Sequence, residues 1–349
     1  MLKKVFYSIL IWVIYTNLLT AQNIHIQIDS LIAAKTIKPF NGIVLVSKNS
    51  ETDYVKIAGY SNLEKKVPLL LTDQFIVGSI SKQFTAVLIL QQYDKGHLKL
   101  HDPIHTYLPN LPQSWADTVT IHQLLTHTHG ITALNIPLAF PAGTQFMYSQ
   151  LGYELLSQIA EKTSGKTFAN LSQELFSSCK MTNSFHPYIH EYKHLAQGYS
   201  ELQKGTLSLE PENESTSNYI AAGSFISTPQ DLVVWNTLLH TGKLLKDSTY
   251  QLMITQHKNA VRDHPIFGTT YYGYGITVDY TNDLIQLGQT GFAPGFVSMN
   301  FYYPKTKMSI VVLENTAWDT DDLKKTFYYH QHIQKIIRRD LLSTKKLKL

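Results

Sequence analysis

"FIVGSISKQFTAVL", residues 75–88, decides the fold, because it sets Ser79 and Lys82 three apart between a strand-like run and an apolar helix. Spacing alone does not select them: Ser177 with Lys180, and Ser343 with Lys346, repeat the Ser-x-x-Lys pattern. Chemistry and context do. Residues three apart share a helix face, so an amine at position 82 reaches the hydroxyl at position 79. A serine becomes a useful nucleophile only with such a base beside it. Burial and a helix N-terminus both depress a lysine pKa, so the amine can take that proton near neutrality. The N–H of Ser79 opens a helix, has no partner within it, and can face a developing oxyanion. Only this serine follows a strand and turn and opens a buried helix. "KQFTAVLILQQYDKG" is apolar almost all round and stops at Gly96. Ser177 instead closes a polar helix, and Ser343 lies in a basic tail.

Outward from this stretch, strands lie at both ends of the sequence. "FNGIVLVSK" and "DYVKIAGY" read as two strands joined by the polar turn "NSET". Far downstream, "YYGYGITVDY", "LIQLGQ", "GFVSMNFYYP" and "MSIVVLEN" read as strands split by Gly, Asn and Pro-Lys turns. Between them, residues 100–220 are mostly helical or irregular, with a marked helix at "LGYELLSQIAEKTSG". Helices are expected at "IQIDSLIAAKTI" and over 321–342. The economical arrangement is an α+β fold, an antiparallel sheet flanked by N- and C-terminal helices with an inserted helical lobe. The sheet lobe spans about 22–78 and 222–342 and the helical lobe about 79–221. A site is expected in the cleft between lobes.

Composition narrows the function. The chain has 349 residues, 44% of them hydrophobic and 16% charged, with a net charge of +4. A core of ample size follows, and a nucleic-acid partner does not. A single cysteine, Cys179, rules out an internal disulfide. "MLKKVFYSILIWVIYTNLLTAQ" has the layout of a secretory signal peptide over residues 1–21, with an apolar run short for a stable span. An exported chain, periplasmic or extracellular, is expected, acting on a small-molecule or peptide substrate.

"FIVGSISKQFTA" resembles the nucleophile segment of the serine β-lactamase-like and penicillin-binding-protein-like hydrolases, in their class C β-lactamase, D-peptidase and esterase branch. "GHLKLHDPIHTYLPNLP", "TIHQLLTHTHGI", "PAGTQFMYSQLGYELLSQIAEKTSG", "AAGSFISTPQDL", "GQTGFAPGF" and "YYPKTKMSIVVLENT" resemble further blocks of that family, in its order, from about Phe40 to Asn315. The resemblance implies that Ser79 is the acylated nucleophile and Lys82 its proton acceptor. Tyr148 would move the proton to the leaving group and activate the deacylating water. The third motif falls on Gln289, Thr290 and Gly291, and the N–H of Phe292 would be the second oxyanion donor beside that of Ser79. No metal or organic cofactor is implied.

Three positions depart from the pattern. Gln150 stands where the second motif has Asn, and keeps an amide for substrate on a longer arm. Gln289 stands where Lys or His would pair with a substrate carboxylate, and a neutral amide gives that up. His129 replaces the usual serine. The expected activity is therefore hydrolysis of an ester, amide or D-amino-acid peptide bond, with weak or no β-lactamase activity. A degenerate sensor that acylates without turnover is the alternative. A second motif competes: "HEYKH" fits His-x₃-His with an intervening Glu, so His190, Glu191 and His194 could hold zinc if they lay on a helix. Pro187 and Gly198 leave room for only one or two turns there.

Overall fold

A tight hairpin begins the sheet. β1 (Gly42–Lys48) and β2 (Glu51–Ala58) pair antiparallel. Asn49 and Ser50 join them with φ of 53° and 70°. Two successive positive φ values suit the twist of a two-residue hairpin loop, so the turn is shorter than the four residues expected. The computed structural model describes residues 24–35, 38–217 and 219–346. The signal segment expected over residues 1–21 lies outside them, and among the described residues no helix is long and apolar enough to cross a membrane.

Six later strands complete the sheet: β3 (Val261–His264), β4 (Gly268–Tyr272), β5 (Thr277–Thr281), β6 (Leu284–Ala293), β7 (Phe296–Tyr303) and β8 (Met308–Glu314). Their order is β2-β1-β8-β7-β6-β5-β4-β3, antiparallel throughout. Early and late sequence meet at β1 and β8, where Ile43 faces Leu313 and Leu45 faces Val311. β1, β7 and β8 are buried along almost their whole length, which is why they read as unbroken apolar runs rather than alternating ones. The run "YYGYGITVDY" divides into β4 and β5 around Gly273–Ile276, with Gly275 at φ 71°.

A mainly helical segment separates the early strands from the late ones, which makes the chain α+β as expected. Numbered after α1 (24–33) near the N-terminus, it holds α2 (Ser81–Asp94), α3 (Leu151–Ser164), α4 (Phe168–Ser178) and α5 (Ile220–Gly223). α6 (Pro229–His240) leads back toward the sheet. A short hairpin, Tyr199–Gln203 with Thr206–Leu209, interrupts a region read as helical or irregular. Gly165, left-handed at φ 71°, ends α3. α2 is buried on nearly every side. Phe84 meets Phe176, Phe225 and Trp235 edge to face at 5.1, 5.5 and 4.6 Å. Burying one such ring contributes about 1.5–3 kcal/mol, so the helix that carries Lys82 is held at its centre.

The chain divides into two units, Asn41–Thr326 and the pair of termini up to Phe40 and from Phe327. Within the terminal unit, α7 (Tyr328–Lys346) presents Tyr329, whose hydroxyl donates to the Lys38 carbonyl at 2.5 Å and whose ring meets Phe40 at 5.0 Å. Arg339 of α7 also donates to the Gln27 side chain of α1.

Candidate active site

Ser79 sits in a single helical turn, Gly78–Ile80, that runs directly into α2. Glycine is required at 78 on two grounds. Its φ is 53°, and a Cβ there would lie 2.5 Å from the Phe292 nitrogen and 2.7 Å from the Gly291 carbonyl carbon. Gly291 has an ordinary φ and is needed for space alone: a Cβ would strike the Val77 carbonyl and the Ser298 hydroxyl, and stand 2.9 Å from the Ser79 nitrogen. Two backbone segments thus abut, one opening α2 and the other in β6. The N–H groups of Ser79 and Phe292 belong to this seam.

Lys82 follows one turn later and has no exposed surface. Its ammonium donates to Ser79 Oγ at 3.2 Å, Gln150 Oε1 at 2.5 Å and the Ala222 carbonyl at 2.8 Å. Burial depresses its pKa, and the nearby Arg262 adds to this, against the pull of Tyr148 and Glu154. α5 keeps the carbonyl acceptor in place, since Thr85 donates to Ala221 at 2.6 Å and Glu154 accepts from the Ala221 N–H at 3.0 Å.

Tyr148 is half-buried, with the Lys82 ammonium 4.7 Å from its ring centre. Burial alone would raise its phenol, but the charges of Lys82 and Arg262 and hydrogen bonds with Ser79 and Lys82 hold it below the ordinary value. His127 fixes the tyrosine from both sides. Its carbonyl accepts from the Met147 N–H at 2.8 Å, and its Nδ1 accepts from the Ser149 N–H at 3.2 Å. An accepting Nδ1 puts the proton on Nε2. Burial, with Lys82 close by, keeps the imidazole neutral. The ring lies against Tyr148 at 4.4 Å. His129 is also buried and neutral, pushed down to about 4 by burial, and packs on Gly152.

The structure therefore brings Ser79, Lys82, Tyr148 and Gln150 together, and sets Thr290, Gly291 and Phe292 along β6 beside them. Gln289 has a different setting. It is fully buried, its Nε2 donates to the Tyr272 hydroxyl at 2.8 Å, and its Oε1 accepts from Thr277 at 3.2 Å. The amide braces β4, β5 and β6 and offers no atom to a ligand. Thr290 bonds His264 at 3.3 Å. His264 Nδ1 accepts from the Ile266 N–H at 3.1 Å, so Nε2–H is the donor to Thr290, whose own hydroxyl hydrogen stays available. Ser177 ends α4 exposed, and Ser343 is exposed on α7. The zinc alternative loses its geometry: His190 is left-handed after the short turn Pro187–Ile189, and Glu191 to His194 are not helical. Without a helical turn the two histidines lose the i, i+4 proximity that would bring both rings to one metal ion. Among the described residues no group of three or more His, Cys, Asp or Glu is placed to hold a metal ion.

Sequence reading missed Arg262, His264, Tyr272, Glu154 and the Ala222 carbonyl. Glu154 and Ala222 fall inside quoted blocks and Tyr272 inside a strand-like run, but nothing local gives any of them a role, and β3, which carries Arg262 and His264, is too short and polar to signal a strand.

The beta-lactamase family model matches residues 33–335. The chain belongs to the beta-lactamase family. It is a serine hydrolase of that kind, with the β-lactamase and transpeptidase type of fold. A penicillin-binding protein of Bacillus subtilis is 25% identical over 338 residues, covering 84% of this chain and 72% of its own. Protein flp of Staphylococcus aureus is 26% identical over 319 residues, covering 83% and 62%. Among solved structures, the octameric penicillin-binding protein homologue of Pyrococcus abyssi superposes with a TM-score of 0.70 at 25% identity, over 79% of this chain and 70% of that one. The D-amino acid amidase of Ochrobactrum anthropi reaches 0.76 at 19% identity over 94% and 99%, a likeness of fold.

Proposed function

We propose that this chain hydrolyses an ester, amide or D-amino-acid peptide bond through an acyl-enzyme on Ser79. The observation that carries the reading is the fully buried Lys82 ammonium, with a depressed pKa, 3.2 Å from the Ser79 hydroxyl. The Ser79 proton passes to the Lys82–Tyr148 pair as Oγ attacks the acyl carbon. The N–H groups of Ser79 and Phe292 hold the oxyanion, and the pair returns the proton to the leaving group. Tyr148 then takes a proton from water as it attacks the acyl carbon, and the pair passes that proton to Ser79 Oγ as the acyl bond breaks. Gln150 keeps Lys82 aimed, and Thr290 offers its hydroxyl to the substrate. The family and its penicillin-binding relatives support an acyl-transfer centre of this type. Turnover of β-lactams is expected to be weak, since the amide at 289 is neutral and committed to Tyr272 and Thr277. Export by a signal over residues 1–21 belongs to the same reading.

Hydrolysis of a short-chain nitrophenyl ester, run beside Ser79→Ala, tests it. Turnover by the native chain, absent in the variant, with an acyl adduct on Ser79 in the mass spectrum, is the expected result. Equal rates in both would overturn the assignment. An adduct that forms and never releases would mark a sensor instead.

A further inference from the structure

We infer that Arg262 is the anion-recognition residue of this site, and that the preferred substrates carry a carboxylate on the leaving-group side. The inference rests on the reading of Ser79 as nucleophile. Arg262 lies on β3, the edge strand of the sheet, with its guanidinium carbon 4.3 Å from the centre of the Tyr148 ring. In a flat sheet β3 would stand about 14 Å from β6, three strand spacings away. Yet His264, two residues from Arg262 and on the same face of β3, touches Thr290 of β6 at 3.3 Å. The β3–β4 hairpin therefore curls over the third motif and delivers Arg262 to the reacting groups.

What Arg262 lacks is equally informative. Among the described residues its guanidinium has no carboxylate and no hydrogen-bond partner, and it is half-buried. A guanidinium held over a phenol by its ring face keeps its N–H fork free for a planar anion. Around Tyr148 the other fixed positive group is Lys82, whose donors are already committed to Ser79, Gln150 and Ala222. Glu154, the carboxylate whose charge acts on Lys82, is half-buried with a raised pKa and bonded to the Ala221 N–H. Among the described residues no ion pair engages Arg262 on the side where it enters. The Thr290 hydroxyl, with its oxygen engaged by His264 of the same strand as Arg262, is assigned to the same ligand, and His264 acts on it as a positioning residue. Gln289 cannot supply this charge, so the anchor has moved from the strand of the third motif to the edge hairpin. Weak β-lactam turnover remains the expectation where a ring carboxylate is directed at the third-motif strand, whose position 289 carries no charge.

The test compares two acetate esters that differ only in charge, 3-carboxyphenyl and 3-carbamoylphenyl acetate, with the full chain. The expected preference for the carboxylate ester in kcat/KM is about tenfold to a hundredfold, the range of a charge-assisted pair. Arg262→Gln should bring the ratio close to one, Arg262→Lys should retain part of it, and added salt should shrink it in the unaltered chain. A ratio near one in the native chain, or one unchanged in Arg262→Gln, would overturn the inference. So would an Arg262→Gln variant that moves only the acid limb of the pH–rate profile, since the guanidinium would then serve the Tyr148 phenol alone. Failure of the underlying nucleophile reading shows separately, as hydrolysis that survives Ser79→Ala.

Discussion

Gly291→Ala should disable the oxyanion seat while leaving every functional side chain in place. The new methyl would overlap the Val77 carbonyl and the Ser298 hydroxyl, which are bonded to each other at 2.8 Å, and would approach the Ser79 nitrogen to 2.9 Å. The Val77 oxygen and the Ser79 nitrogen are backbone atoms and cannot swing aside as a side chain could, so β6 must retreat from the Gly78–Ile80 turn. Retreat by a few tenths of an ångström separates the N–H groups of Ser79 and Phe292. Loss of one such donor costs about 2.7–4 kcal/mol in the transition state, a factor of about 10²–10³ in kcat. Overpacking itself costs about 1–3 kcal/mol of stability. The assay is kcat and KM for a nitrophenyl ester with a parallel thermal melt. A fall in kcat of about a hundredfold or more with KM little changed is expected, because the lost contact exists only in the transition state. If kcat stays within about threefold while the melt drops, the seam is structural packing and the oxyanion assignment is wrong.

Three further outcomes follow. Activity should rise with pH as the Lys82–Tyr148 pair gives up its proton, and the rise should be complete below the usual values of 10.5 and 10.0, since both groups are held down; Tyr148→Phe should abolish or displace that limb in a pH–rate profile. Glu314 is fully buried with its pKa far above 4.5, so it folds as the neutral acid. The unfolded chain releases that proton first, so its contribution to stability is greatest below about pH 4.5 and is lost as pH rises toward the folded value. Glu314→Gln should therefore gain on the native chain by up to about 1.4 kcal/mol per pH unit above that point, read by urea unfolding at several pH values. Finally, His190→Ala with His194→Ala, and treatment with a chelator, should each leave ester hydrolysis within about twofold, because the "HEYKH" segment has no helical face to bind a catalytic zinc; a large loss in either would revive the metal reading.

The strand, turn and helix around Ser79 were legible because their signals are local. A strand, a glycine turn, and an apolar helix with Ser79 and Lys82 on one face all lie within "FIVGSISKQFTAVL". The long buried strands β7 and β8 were legible for the same reason, as apolar runs ended by turns. What escaped depends on distance in space rather than in sequence. Arg262 is one arginine in a polar stretch until the curl of the β3–β4 hairpin sets it on Tyr148. Gln289 could be aligned with a motif position, but its letter does not reveal that Tyr272 and Thr277 absorb both ends of its amide. Nothing in "THTHG" says what His127 supports; the structure shows that it holds the segment carrying Tyr148.

The seam between Gly78 and Gly291 also bears on when activity can appear during folding. One side belongs to the turn that opens α2, the other to a strand encoded after the whole helical segment. β6, β7 and β8 form a local meander, and β1 with β2 a local hairpin, so each can assemble early. Joining them across β1 and β8, and seating β6 against the Ser79 turn, closes very long loops and comes late. Hydrolysis is thus a readout of the last docking step. A refolding chain should regain its helix signal well before it regains turnover, and a nascent chain lacking the residues of β6 should carry its nucleophile and base in silence.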